Sequence, residues 1–302
     1  MTTFSLTLTT PPGFRFRTTL LSHGWLQLHP FHWNEGDDTL GRVEAIGDNI
    51  IFLELRGAGT QSTDSGEPIR VESSHDLNDG ERSEIESRLR RIFNLDIDLT
   101  AFHAHIADLP RYAWCAELGG GRLLRAPTVW EDLAKTLLTT NTTWVMTRAM
   151  VKRLTTLGSP LDDQRFAFPT PGQIADLDFE PFATHLRAGY RAASLHELAT
   201  RIAEGELDVE TWAHREGDAL SSDDLYQAVT ALRGFGPYAA GAVLKLLGRF
   251  DRLAIDSAAR ATFNREFNHG DAAPDKAIRA HYEPHGAWRG LMMWMDVMGP
   301  PG

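Results

Sequence analysis

The segment FSLTLTT near the start of the chain alternates apolar and polar side chains at a period of two, the pattern of a half-buried strand. Further on, Val43-Glu44-Ala45-Ile46 and Ile50-Ile51-Phe52-Leu53-Glu54-Leu55 flank Gly47-Asp48-Asn49, a short polar loop of residues suited to positive φ, which predicts a β-hairpin. The stretch from Gly57 to Gly80 is polar, acidic and rich in Gly and Ser, and predicts a long loop around one edge strand. From Glu81 the period becomes helical, with Ile85, Leu89, Ile92 and Phe93 at three- and four-residue spacings, and it stays helical to the end. Helices are predicted over 81–94, 99–107, 128–140, 143–156, 172–176, 179–187, 191–204, 208–213, 222–233, 238–248, 257–267, 274–281 and 287–297. Thr128 with Glu131, and Ser221 with Asp224, mark helix starts by their capping spacing. The implied fold class is α+β: a β-rich N-terminal domain over 1–110, an antiparallel sheet plus helices, then a mostly α-helical body over 111–302.

Composition narrows the function classes. The single cysteine, Cys115, cannot form an internal disulfide and excludes a four-cysteine cluster built from this chain, so no structural zinc or iron–sulfur cluster is expected, and since the twelve histidines show no H-x-x-x-H spacing on a helix with an acidic partner, no catalytic metal is expected either. No apolar run approaches the roughly 20 residues of a membrane span, and MTTFSLTLTT lacks the order of a signal peptide, which points to a cytoplasmic protein. A net charge of -11 argues against a nucleic-acid partner. Its distribution weakens that argument. Residues 121–157 and 232–265 each carry six basic against two acidic side chains, and the acidity sits elsewhere, with nine against seventeen over 1–110. Four lysines occur, Lys135, Lys152, Lys245 and Lys276, so the basic side chains are almost all arginine.

The most informative segment is Leu232-Arg233-Gly234-Phe235-Gly236-Pro237-Tyr238-Ala239, between the helical patterns 222–233 and 238–248. Two glycines around one apolar residue allow positive φ and a close backbone approach, and the next helix opens with outward N–H groups. Such a turn can cradle a phosphate without a basic side chain. A bare GxG more often just stops one helix while a proline starts the next. Here the context adds to it: Ala239-Ala240-Gly241-Ala242 is small where a helix must pack closely, and Asp256 lies eighteen residues beyond Tyr238, at a predicted helix start.

LRGFGPY, AAGAVLKLLGR and LAIDSAAR together resemble the helix-hairpin-helix DNA glycosylases, in their 3-methyladenine and 8-oxoguanine glycosylase branch. The resemblance extends over about 115 to 298. GRLLRAPTVWEDLAKTLLTTNTTWVMTRAMVKRL looks like the helical region of 8-oxoguanine glycosylases that begins with LLRQDP, and FPTPGQIA and AGYRAASL are similar to the next segments of those enzymes and of 3-methyladenine glycosylases. It implies a partner, double-stranded DNA containing a damaged base, and an activity, hydrolysis of an N-glycosidic bond in base excision repair. It also implies a DNA-backbone hairpin of Gly234, Phe235, Gly236, Tyr238 and Ala239, with a monovalent cation held by its carbonyls. Asn141, Tyr190 and Arg191 match positions that contact the orphaned base and wedge the duplex, and Trp294, with Tyr238, matches the lesion pocket.

Asp256 is the expected catalytic carboxylate: bond cleavage builds positive charge on the sugar, and an anion at a helix N-terminus suits it. By itself such an Asp is more often a helix cap. In lyase members of the family a lysine stands where this chain has Tyr238, and tyrosine cannot form a Schiff base. Lys245, about 10 Å further along the helix at 1.5 Å per residue, is placed out of reach. A monofunctional enzyme is therefore expected, acting on a damaged and preferably alkylated purine, because a cationic base suits an aromatic pocket. The alternatives are an 8-oxoguanine-type glycosylase and a non-catalytic DNA-binding module. No oligomer signal is present, and a monomer is assumed.

Overall fold

The computed structural model of the protein describes residues 4–59, 66–214 and 219–300. Five strands, β1 (Phe4–Leu8), β2 (Phe31–Asn34), β3 (Thr39–Ile46), β4 (Asn49–Gly57) and β5 (Ile69–Ser73), form one antiparallel sheet in the order β1-β5-β4-β3-β2. The predicted hairpin is β3–β4. Ile46 pairs with Asn49, so the loop is two residues, Gly47-Asp48, with Gly47 at φ 54°; Asn49 already belongs to the ladder. The predicted edge strand is instead interior: β5 pairs with β4 on one side and β1 on the other. Its own pattern explains the difficulty, because five residues with alternating burial look the same at an edge or inside a sheet. Part of the predicted loop around it, 60–65, lies outside the described residues.

The helices follow the 3.6-residue pattern closely. That of Asp79–Ile92 buries Ile85, Leu89 and Ile92, and is capped by Asn78, whose side chain accepts from the Glu81 N–H while Glu81 reaches back. The two predicted caps form, Thr128 accepting from Glu131 N–H and Ser221 from Asp224 N–H. The prediction missed the short helices Phe16–Leu20 and Ala113–Leu118, and 208–213 is a 3-10 turn over Glu210–Ala213. Among the described residues no helix is long and apolar enough to cross a membrane.

Two compact units arise, each from two stretches of chain: Met1–Ile97 with Arg122–Asp208, and Asp98–Gly121 with Val209–Gly302. A boundary at 110 therefore matches neither unit: it falls inside Asp98–Gly121, which belongs with Val209–Gly302. The change from period two to period 3.6 marks a change of secondary structure, whereas the chain leaves the first unit at Asp98 and re-enters it at Arg122. The first unit holds the sheet and the helices Asp79–Ile92, Val129–Thr139, Trp144–Thr155, Pro171–Ala175, Phe179–Leu186 and Tyr190–Ala203. The second holds the hairpin and the helices on either side of it.

In the first unit the sheet meets the helix Val129–Thr139 through charge. Arg42 on β3 donates from both terminal nitrogens to Glu131, at 3.1 and 2.6 Å, and from Nε to Glu44; Lys135 Nζ adds a contact to Glu131 at 2.6 Å. All four side chains are buried. Burial alone would raise the Glu131 carboxyl, yet Arg42 and Lys135 outweigh it and hold the group below its ordinary range. Neighbouring Asp132 accepts from Trp25 Nε1 and Arg91, both at 2.9 Å, and from Ala126 N–H at 3.0 Å. Glu131→Gln would leave two buried cations facing a neutral amide. It should cost about 3–5 kcal/mol in urea unfolding; a loss under about 1 kcal/mol would show that the sheet is held by apolar contact alone.

Candidate active site

The hairpin joins the helices Ser222–Thr230 and Pro237–Leu246. Gly234 takes φ 87°, the left-handed region that the sequence reading required. Gly236 does not: its φ is -97°, and its glycine serves openness instead, since a Cβ there would meet nothing within 4 Å. Phe235 and Leu232 are buried and pin the turn, and the Phe235 N–H donates to Leu232 O at 3.1 Å. Pro237 occupies the first turn of the next helix, Tyr238 is half-buried and Ala239 is buried.

Behind the hairpin the helix packs on bare backbone. A Cβ on Gly241 would lie 2.7 Å from Leu253 O, and one on Gly290, in the helix Arg289–Met298, would lie 2.2 Å from Arg252 O. The Gly290 N–H donates to Phe250 O at 2.7 Å. The extended segment 250–255 is thus clasped between two helices, each of which lacks a side chain where it passes. Leu253, Ala254 and Ile255 are buried by this arrangement, and the chain emerges at Asp256.

Asp256 caps the helix Ser257–Phe267. Its Oδ1 accepts from Ala259 N–H at 2.8 Å, and no other hydrogen bond or ion pair engages the carboxylate among the described residues. The clasp brings two further groups to it. Lys245, on the hairpin helix, is only 7 % exposed, and its Nζ lies 3.2 Å from the centre of the Trp294 indole. Burial pushes the Lys245 ammonium down to about 7, while the Asp256 charge acts in the opposite direction. Counting rise along the helix axis places Lys245 far from Tyr238; the structure adds that it is buried and lies within the field of the Asp256 charge. Seven residues is also two full turns, so Lys245 shares the Tyr238 face and projects to the same side. A lone lysine among Ala, Val and Leu was the signal that this helix buries a charge.

A second carboxylate escaped sequence reading entirely. Asp296 is buried and accepts from Tyr112 Oη at 2.9 Å, Tyr282 Oη at 2.8 Å and Arg111 Nε at 2.6 Å. Burial and this carboxylate raise both tyrosines well above their ordinary range, and push the Cys115 thiol up to about 12. With donors on both oxygens Asp296 is a structural hub. No group of three or more His, Cys, Asp or Glu side chains could hold a metal ion among the described residues.

Asn141, Tyr190 and Arg191 belong to the first unit. Asn141 lies just beyond the helix Val129–Thr139 at φ 45° and donates from Nδ2 to Tyr190 Oη at 3.3 Å; Tyr190 is 53 % exposed. Arg191 differs from its expected wedge role. It is 8 % exposed, and its guanidinium donates to Thr140 O at 2.8 Å, Ala188 O at 3.2 Å and Asn141 O at 2.9 Å. These bonds satisfy carbonyls at a helix end, a common use of arginine that no spacing reveals. The same guanidinium stacks on the Tyr190 ring at 4.6 Å, so Arg191 supports the exposed Asn141–Tyr190 pair from within.

No protein-family model matches the chain. It is similar to "Putative DNA-3-methyladenine glycosylase YfjP" of Bacillus subtilis (strain 168), 21 % identical over 274 residues, which is 89 % of this chain and 86 % of that one. Among solved structures it resembles a 3-methyladenine DNA glycosylase from Archaeoglobus fulgidus at TM-score 0.73 and 15 % identity, covering 97 % of each chain. It also resembles the Clostridium acetobutylicum 8-oxoguanine glycosylase/lyase in complex with double-stranded DNA containing cytosine opposite 8-oxoguanine, at TM-score 0.70 and 16 % identity, covering 98 % of this chain and 97 % of that one. The architecture is α+β with a sheet at the N-terminus and a helix-hairpin-helix element near the C-terminus. It is the fold of the helix-hairpin-helix DNA glycosylases.

The clasp and the lysine are both open to measurement. Gly241→Ala forces its Cβ against Leu253 O and should cost about 1–3 kcal/mol of stability. Lys245 gives a pH signature. Its folded-state value lies below the unfolded one, so between about pH 7 and pH 10 the unfolded chain holds a proton that the folded chain has released, and stability rises with pH. The unfolding free energy of wild type relative to Lys245→Met should increase from pH 7 to pH 9, by at most about 1.4 kcal/mol per unit. A difference independent of pH would show that Lys245 titrates as it does in water.

Proposed function

We propose that this protein is a DNA glycosylase that hydrolyses the N-glycosidic bond of a damaged purine in one step and leaves an intact abasic site. The observation that carries the reading is Asp256: a carboxylate presented at a helix N-terminus, one oxygen held by Ala259 N–H and the other open, eighteen residues beyond the hairpin. The glycosylase names carried by the similar proteins support the class. Oxocarbenium character on the sugar needs an anion at the anomeric carbon, and the carboxylate also accepts the proton of the attacking water.

The hairpin supplies the grip on DNA. The start of the helix Pro237–Leu246 has no side-chain cap at Gly236, and Gly236 is open to approach, so this helix end suits a phosphate and makes the reading compatible with an acidic protein. A monovalent cation on the hairpin carbonyls would add positive charge at the same place. Tyr190 and Asn141 are the exposed candidates to fill the gap left by a flipped base, with Arg191 behind them. Tyr238 in place of a lysine supports hydrolysis without a Schiff base.

An 8-oxoguanine-type substrate has a specific observation in its favour. The Lys245 ammonium occupies the face of Trp294, where a cationic alkylated base would meet a second positive charge. Base release from duplexes carrying 3-methyladenine, 7-methylguanine, hypoxanthine or 8-oxoguanine tests the reading. Asp256→Asn should lower release from the preferred duplex by at least a hundredfold while DNA binding persists, and borohydride should trap no covalent adduct with wild type. Undiminished release by Asp256→Asn would reduce the carboxylate to a helix cap and the chain to a DNA-binding module; a trapped adduct would replace hydrolysis by lyase chemistry.

A further inference from the structure

Asp256 and water act on the sugar half of the reaction, and the departing base has needs of its own. A purine methylated at N3 or N7 already carries a positive charge and leaves as a neutral molecule. A neutral purine leaves as an anion unless a proton reaches its ring nitrogen or carbonyl as the bond breaks. Base excision from neutral lesions therefore calls for a donor beside the base.

Lys245 is placed for that task. It stands on the same helix face as Tyr238, it is more than nine-tenths buried, its Nζ sits over the Trp294 indole, and the Asp256 charge acts on it. Among the described residues, Asp256 is the ionisable group whose charge acts on it. The other charged side chains on the elements packed against this helix are engaged elsewhere. Asp296 is held by Arg111, Tyr112 and Tyr282, Asp223 pairs with Arg252, Asp224 accepts from Ser221, Asp251 pairs with Arg252, and Arg289 donates to Asp251 O and Glu283. An ammonium over an indole face recognises a hydrogen-bond acceptor and repels a cation.

We propose that Lys245 is the proton donor to the departing base and that it selects neutral purines bearing a hydrogen-bond acceptor over cationic alkylated ones. The inference rests on the glycosylase reading above. As the bond between C1′ and the base nitrogen breaks, its electron pair goes to the base, and Lys245 Nζ gives its proton to a ring nitrogen or carbonyl oxygen of that base. Water adds to C1′ and passes its proton to Asp256, and solvent returns a proton to Lys245. The balance is that of simple hydrolysis, with no oxidant or reductant. Because burial brings Lys245 down to about 7, the donor is lost as the solution becomes alkaline, and release of a neutral base should fall up to tenfold per unit above that point.

Single-turnover base release, expressed over the uncatalysed rate, is measured from pH 6 to pH 9 on duplexes carrying 8-oxoguanine, hypoxanthine or 7-methylguanine. Wild type should favour the two neutral bases. Lys245→Met, which keeps the length of the stem, should lower neutral-base release by about a hundredfold, flatten its alkaline fall, and leave 7-methylguanine release equal or faster. Lys245→Arg, charged at every pH used, should keep 7-methylguanine excluded and lose the alkaline fall, and it carries the test alone where the methionine variant does not fold. Equal losses for all three bases at every pH would make Lys245 a packing residue and overturn the proposal. So would a wild-type preference for 7-methylguanine, or a borohydride adduct that disappears in Lys245→Met, since the amine would then be a nucleophile. Wild-type protein that releases no base from any duplex overturns the glycosylase reading itself, whereas release indifferent to Lys245 overturns this inference alone.

Discussion

Everything at the candidate active site depends on a segment of bare backbone, 250–255, held where two helices offer it no side chains. Gly241 and Gly290 each face a carbonyl at a distance no Cβ could tolerate, and Gly290 adds a hydrogen bond to Phe250 O. Close approach does two things at once. It buries Leu253, Ala254 and Ile255, which anchors the segment, and it brings the next residue, Asp256, beside the helix that carries Tyr238 and Lys245. A carboxylate that directly follows a segment fixed by backbone packing has little freedom to shift, the kind of pre-organisation a reactive site needs.

Charge is distributed to match. The first unit spends its charges on itself: Arg42, Glu44, Glu131 and Lys135 neutralise one another inside the core, and Arg91 is tied to Asp132. Basic residues in the 121–157 window, counted from sequence as a footprint for phosphate, are in part consumed there; Lys135 is fully buried, and Arg122 and Arg125 are buried too. The electrostatic case for DNA therefore rests on main-chain N–H groups at the hairpin more than on side-chain charge, a mode of binding that an overall charge of -11 does not oppose.

Much of the architecture was legible because it is periodic. The β3–β4 hairpin, the helix boundaries and the caps at Thr128 and Ser221 arise from spacings that extend over only a few residues. The small residues after the hairpin announced close packing, and Gly241 is where it happens. What failed was of another kind. The interior place of β5, the engagement of Arg191 by carbonyls, the Asp296 hub and the discontinuous units all join residues far apart in sequence, and no local pattern encodes their partners. Lys245 is the instructive intermediate: its spacing from Tyr238 is legible and fixes both an axial rise and a shared face, but its burial against Trp294 joins residues far apart in sequence.

Bringing an anion and a cation within each other's field inside a protein is costly, because each must leave water. Asp256 avoids most of that cost by remaining half-exposed and taking a main-chain donor. Lys245 does not, and the penalty appears as its lowered proton affinity. A buried lysine whose ammonium lies on an indole face contributes little to stability, so its occurrence among the Ala, Gly, Val and Leu residues that follow Tyr238 asks for a reason in chemistry. In the proposed reaction the pair divides the work by sign: the carboxylate would favour positive charge where the sugar develops it, and the amine negative charge where the base would otherwise depart with it. Opposite charges beside the two ends of one breaking bond stabilise the charge-separated transition state more than the neutral ground state, the condition under which binding energy accelerates a reaction.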